Sequence, residues 1–260
     1  IGKLLSGRDY LNPKFELIAD DILDQSYKKK LKSYIEKWIQ NKINTVLRSL
    51  IDLKNLKENN SSIKALAYQL YENNGVIKRE QVSEYLFKLG QDERKILRDL
   101  GVKFGRYHIF LYRLIKPEAV SLRTLLWKNY HQKYFNLKPP TFGLNFIEDK
   151  NLNNQNFMLL CGFEKFENFY LRIDILERLF VKIISSNSGK EIKIIPEMLN
   201  LLGCNKQNFK ILLKIMNYKI IEKNEETFFK YMPKKDNKRK SDKKTTKESP
   251  FKVLKNLSFN

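Results

Sequence analysis

The chain has 260 residues, 42% hydrophobic and 12% aromatic, enough for one large or two smaller globular units. Its formal charge of +21, from 50 Lys/Arg against 29 Asp/Glu, favours a polyanionic partner, nucleic acid first and an anionic membrane surface second. Two cysteines, Cys161 and Cys204, argue against a disulfide framework or a metal motif, and no signal peptide or apolar run of the ~20 residues needed to span a bilayer is seen. The sequence therefore reads as soluble and cytoplasmic. It begins at Ile1 inside what looks like a running segment, so a fragment of a longer protein is expected.

Residues 1–17 read as the end of a small β element, with turns marked by Gly2, Gly7 and Asn12-Pro13. From Tyr27 the apolar positions Leu31, Tyr34/Ile35, Trp38/Ile39, Ile43, Val46/Leu47 and Leu50/Ile51 recur at three- and four-residue steps, predicting one amphipathic helix of roughly 30 residues. Lys29, Lys30, Lys37, Lys42 and Arg48 make a solvated face beside that stripe. Three shorter helices follow, carrying Ile63 to Tyr71, Val82 to Leu89 and Ile96 to Leu100. Each precedes a glycine (Gly75, Gly90, Gly101) where a left-handed cap is wanted. Residues 18–137 thus read as a helical domain.

Gly101 to Tyr130 closes that domain. Phe104, Tyr107, Ile109, Phe110, Leu111 and Tyr112 form a nearly continuous apolar run, punctuated by Lys103, Arg106, Arg113 and Lys116. Core packing is expected of Phe104, Ile109, Phe110 and Leu111. Lys103, Arg106, Tyr107, His108, Arg113 and Lys116 are the candidates for nucleic-acid contact, with Tyr107 and Tyr112 able to stack on bases. A helix opens at Pro117, well placed at a first helical position, and continues through Leu122, Leu125, Leu126 and Tyr130.

Residues 138–155, with Pro139-Pro140 and an Asn-rich run, read as a linker. Beyond it come two short strands (157–163 and 169–173), a helix capped by Asp174, a short strand at 192–195, a helix at 196–202, a Gly203-Cys204 turn, a helix at 205–216 and a hairpin from 218 to 231. That order is the order of a winged helix, placed at 156–232. Its recognition helix would be 205–216, with Lys206, Lys210 and Lys214 outside the apolar stripe as further nucleic-acid contacts. The fold class is accordingly mainly α (α+β): a helical accessory domain, a winged-helix-like domain and a disordered basic tail over 233–260, where Lys234 to Lys247 is rich in lysine and SPFKVLKNL follows.

The chemistry of an active site is missing from the sequence. It has no phosphate-cradling G-x-x-x-x-G-K-[ST] loop, no H-E-x-x-H and no dinucleotide fingerprint. His108 and His131 are the only imidazoles, and a buried or stacked structural role suits His108 better than catalysis. Asp20-Asp21 and Glu148-Asp149 are sequence neighbours that do not share a helix face. No catalytic or metal-ligating residue is assigned.

The segment LRDLGVKFGRYHIFLYRLIKPEAVSLRTLLW, from Leu97 to Trp127, resembles a strongly patterned segment of a bacterial superfamily 2 helicase family, itself similar to the RNA helicase of the mitochondrial RNA-degrading complex. IGKLLSGRDYLNP, ALAYQLYENNGVIKRE, RIDILERL and SPFKVLKNL resemble further pieces in the same order. The resemblance implies an ATP-dependent RNA or DNA helicase whose motor domains, with ATP and Mg, would lie N-terminal to Ile1. It implies that this chain is the accessory region beyond the motor, contacting single-stranded RNA or DNA and its own motor domains. The alternative is a protein-interaction scaffold that recruits a nuclease or another partner through the winged helix and the terminal motif.

Overall fold

The computed structural model describes residues 2–18, 24–57, 60–132, 134–148, 154–186, 191–223 and 225–232. The basic tail, SPFKVLKNL and the Asp20-Asp21 pair lie outside the described residues. Helix outweighs strand, and the fold is mixed α+β. No helix among the described residues is long and apolar enough to cross a membrane.

The chain opens with the antiparallel hairpin β1 (Gly2–Leu5) and β2 (Lys14–Leu17), in which Gly2 faces Leu17. The long helix predicted from Tyr27 is divided into α1 (Gln25–Val46) and α2 (Arg48–Lys54). Between them Leu47 leaves helical geometry (φ −103°, ψ 20°). The break lets Ile43, Leu47, Leu50 and Leu53 all bury in one core. Helix α3 (Ser61–Glu72) starts where the Asn60 side chain accepts the Ser62 N–H at 2.8 Å. It ends at Asn74 and Gly75, both at positive φ, with the Gly75 N–H reaching back to the Leu70 carbonyl.

From here the helical reading of 18–137 needs correction, because a three-stranded sheet runs through it. Its strands are β3 (Val76–Lys78), β4 (Val102–Phe104) and β5 (His108–Leu111), and β5 lies in the middle. The apolar run of 104–112 is therefore a hairpin. Between β3 and β4 stand α4 (Ser83–Lys88) and α5 (Gln91–Asp99). Gly101 takes the left-handed conformation (φ 92°), whereas Gly90 is extended and serves as the N-cap of α5.

Helix α6 (Pro117–His131) starts on its proline. Next come β6 (Phe146–Glu148), α7 (Gln155–Leu160), β7 (Phe163–Phe166) and β8 (Phe169–Arg172), the three strands forming a sheet with β8 central. Two expectations change here. Residues 157–160 are helical because Asn154 accepts the Phe157 N–H at 2.9 Å and starts a turn, so the strand begins only after Gly162. The 138–155 stretch also supplies β6, which covers the edge of β8. The last body comprises α8 (Ile173–Ser186), β9 (Ile192–Lys193), α9 (Pro196–Leu202), α10 (Lys206–Ile215), β10 (Tyr218–Lys223) and β11 (Glu226–Tyr231), with β11 between β10 and β9.

The same connection thus occurs twice: helix, strand, two helices, hairpin. In both copies the third strand lies between the first and second. α3 to β5 is one copy and α8 to β11 the other.

Arg123 joins the first copy to α6 and α7. It is fully buried in the middle of the packed face of α6. Its guanidinium donates to the carbonyls of Asn74 (2.7 Å), Leu114 (2.6 Å) and Leu160 (2.8 Å). These carbonyls end α3, a one-turn helix and α7, where partial negative charge gathers and receives a cation. Burial without a carboxylate partner lowers its pKa to about 10, which leaves it charged at neutral pH. Arg123→Leu strands three carbonyls, two of them in buried contacts, and should cost about 3 kcal/mol or more of unfolding free energy in urea titration.

Candidate nucleic-acid interface

The β4–β5 turn holds the cluster Arg106, Tyr107 and His108 singled out in the sequence. Its closing bond is Gly105 N–H to the His108 carbonyl, at 2.8 Å. The N–H groups of residues 106 to 108 all point to one carboxylate, Glu177 of α8. Tyr107 donates at 2.9 Å and His108 at 2.7 Å, and Arg106 donates to the other oxygen. Such a nest of successive N–H groups is a strong anion receptor. A Cβ on Gly105 would lie 2.4 Å from the Glu177 carboxylate, so only glycine permits this approach.

The His108 ring extends the cluster. Its Nδ1 is 3.1 Å from Glu177, and its Nε2 is 3.6 Å from Glu164 of β7, which Lys78 of β3 meets at 2.7 Å. Burial alone would push the His108 pKa down, but hydrogen bonds to Glu164 and Glu177 outweigh it and raise the pKa above the ordinary histidine value. Burial likewise opposes ionisation of Glu164, and its bonds to His108 and Lys78 prevail, holding its pKa below the usual carboxylate value. Both shifts come from the same contact, which favours the charged forms of His108 and Glu164. The turn is further fixed by Tyr107 packed edge-on against Phe180 (4.8 Å) and by Arg106 over the Tyr231 ring (5.4 Å).

The structure therefore separates the candidate residues. His108 is buried and Tyr107 half-buried, both engaged within the chain; Arg106 is exposed beside Tyr231. They line a cleft of about 580 Å³ between the two copies, with Lys78 and Arg79. Lys103, Arg113 and Lys116 are exposed, and Lys116 lies 4.7 Å over the Tyr112 ring. On α10, Lys206 and Lys214 are exposed, while Lys210 is drawn 2.5 Å from Glu222 of β10. The expected core role holds for Ile109, Phe110 and Leu111, which are buried; Phe104 is half-buried. On α1, Ile35 and Ile39 turn inward, leaving Tyr34 and Trp38 exposed with Tyr27.

Sequence reasoning missed Glu164, Glu177 and Lys78. One signal existed. Glu177 occupies an apolar helical position, four residues after Ile173 and three before Phe180, where an acid needs a buried partner.

Among the described residues no group of three His, Cys, Asp or Glu side chains could hold a metal ion. Burial pushes the Cys161 thiol up to about 12 and Cys204 up to about 11, which makes both poor nucleophiles. No protein family, curated protein or solved structure matches the chain.

Two outcomes test the cluster. Glu177→Ala leaves the three N–H groups and the imidazolium without their acceptor and should cost about 3–5 kcal/mol in urea unfolding. The contribution of His108, whose pKa is raised, is complete below its unfolded value of about 6.5 and is lost as pH rises through the folded value. That of Glu164, whose pKa is lowered, is complete above about 4.5 and is lost as pH falls through the folded value. The stability gap between the wild type and His108→Gln should accordingly be wider at pH 6 than at pH 9.

Proposed function

We propose that this chain is the accessory, nucleic-acid-contacting region of a cytoplasmic ATP-dependent RNA or DNA helicase, with the ATP- and Mg-binding motor domains outside it. The observation that carries this reading is the recurrence of helix, strand, two helices and hairpin with one strand order in both copies. We read that order as the order of a winged helix. Both copies are read as winged helices, the first within the helical accessory domain and the second at 156–232. The resemblance of Leu97–Trp127 to the helicase family supports it, as does the excess of basic over acidic residues.

In this reading α10 is the recognition helix of the second copy and β10–β11 its wing. Lys206 and Lys214 meet phosphates, and Lys210 is held back by Glu222. Lys103, Arg113 and Lys116 extend the basic surface on the first copy. The Glu177 seam fixes one copy against the other, so a strand leaving the motor meets a surface of set shape.

A second reading, a protein-interaction scaffold that recruits a nuclease, has one observation in its favour. Phe87 at the end of α4 stands 95% exposed, as a side chain covered by a partner would.

Anisotropy of a labelled single strand separates the two. Affinity should fall linearly in logarithm with salt, and Lys206→Glu with Lys214→Glu should reduce the slope by about 1 per lost phosphate contact. Salt-independent binding, or none, would favour the scaffold.

A further inference from the structure

We propose that the open cavity bordered by the β1–β2 loop, the end of α2, one face of α3 and the last turn of α6 takes one base of a single-stranded nucleic acid, stacked on Tyr68 and Tyr130. The proposal rests on the nucleic-acid reading above and gives it a specific site.

The cavity has a volume of about 720 Å³, within the range of small-ligand sites. Two helices line it with aromatic rings. Lys64, Tyr68 and Tyr71 lie at i, i+4 and i+7 on one face of α3, and Trp127, Tyr130 and His131 lie at i, i+3 and i+4 on α6. Trp127 is a fixed wall, buried and stacked on Tyr134 with centroids 5.0 Å apart. Tyr68 and Tyr130 are 59% and 38% exposed at the rim. Rings that served only the core would be covered; these present surface to an open cavity.

The charges select a base over a bare phosphate. Asp9 and Glu72 both border the space and repel an entering anion. The Asp9 carboxylate is already engaged by Lys54 (3.6 Å), the Leu11 N–H (2.9 Å) and the Asn12 amide (2.8 Å). Glu72 has no ion pair among the described residues and can accept from an amino or ring N–H on a base edge. Lys54 also lies 5.1 Å over the Tyr71 ring. Lys64, exposed at the mouth and without an ion pair among the described residues, is placed for the phosphate that stays outside. A stacking face, an acceptor for a base edge and an outer cation together match a nucleotide within a strand.

Tryptophan provides the readout, since the chain has two, Trp38 and Trp127. In a Trp38→Phe background Trp127 is the sole tryptophan, and its fluorescence reports on the wall of the cavity and the rings packed behind it. Titration with a 12-residue oligouridine should quench it saturably, with the same midpoint as the anisotropy of a labelled copy. Tyr68→Ala and Tyr130→Ala should each weaken binding roughly 5- to 100-fold with the urea midpoint unchanged, and Tyr68→Phe and Tyr130→Phe should restore it. Strand binding without a Trp127 response, or indifferent to both alanine variants, overturns the pocket and leaves the nucleic-acid reading standing. Absence of any strand binding overturns both.

Discussion

The capture of the Glu177 carboxylate by the backbone of residues 106 to 108 is the interaction on which the arrangement of the chain depends. A hairpin tip is ordinarily a solvent-facing end. Here it carries three converging N–H groups and a histidine into another body, and the partner is a buried carboxylate whose oxygens find in them the donors that water would otherwise supply. Each half satisfies polar groups of the other. Without the turn the carboxylate would lose three backbone donors, and without the carboxylate the three N–H groups would lose their acceptor. Glu164 and Lys78 complete the alternation of charge, so the cluster ends at a lysine that reaches water.

That constraint redefines the basic, aromatic stretch from Gly101 to Tyr130. Its most polar turn, the natural candidate for strand contact, is committed largely to holding the molecule together. Exposed cations remain at its flanks, at Lys103, Arg113 and Lys116, and on α10, at Lys206 and Lys214. Elsewhere the acidic residues are spread over the surface in pairs such as Lys42 with Glu118 and Lys223 with Glu191. Such exposed pairs contribute little to stability, and with 50 basic side chains against 29 acidic ones they cannot neutralise the surface. The positive field therefore survives folding.

Much of the second copy could be read from the sequence. Pro196 starts α9, Gly203 takes the left-handed turn after it, and Phe209, Leu212, Leu213 and Met216 keep one helical stripe. The first copy was hidden because its strands are three or four residues long and β5 is buried along its whole length, so no alternation marks it. The relation between the two copies was hidden for the same reason. The clusters that give the surface its character depend on distance in sequence. Glu177 meets the turn about 70 residues before it, and the aromatic cavity draws on positions from Asp9 to His131. Local pattern carries no information about such meetings, although an acid on an apolar stripe announces that one exists.

The 105–108 turn is locked into the second body through Glu177. Native-state hydrogen exchange at the amides of Arg106, Tyr107 and His108 tests it most directly. The locked turn predicts exchange only through opening of the whole seam, as slow as for buried β5 and accelerated in Glu177→Ala. Exchange at the rate of a free hairpin tip, unchanged by that substitution, would contradict it.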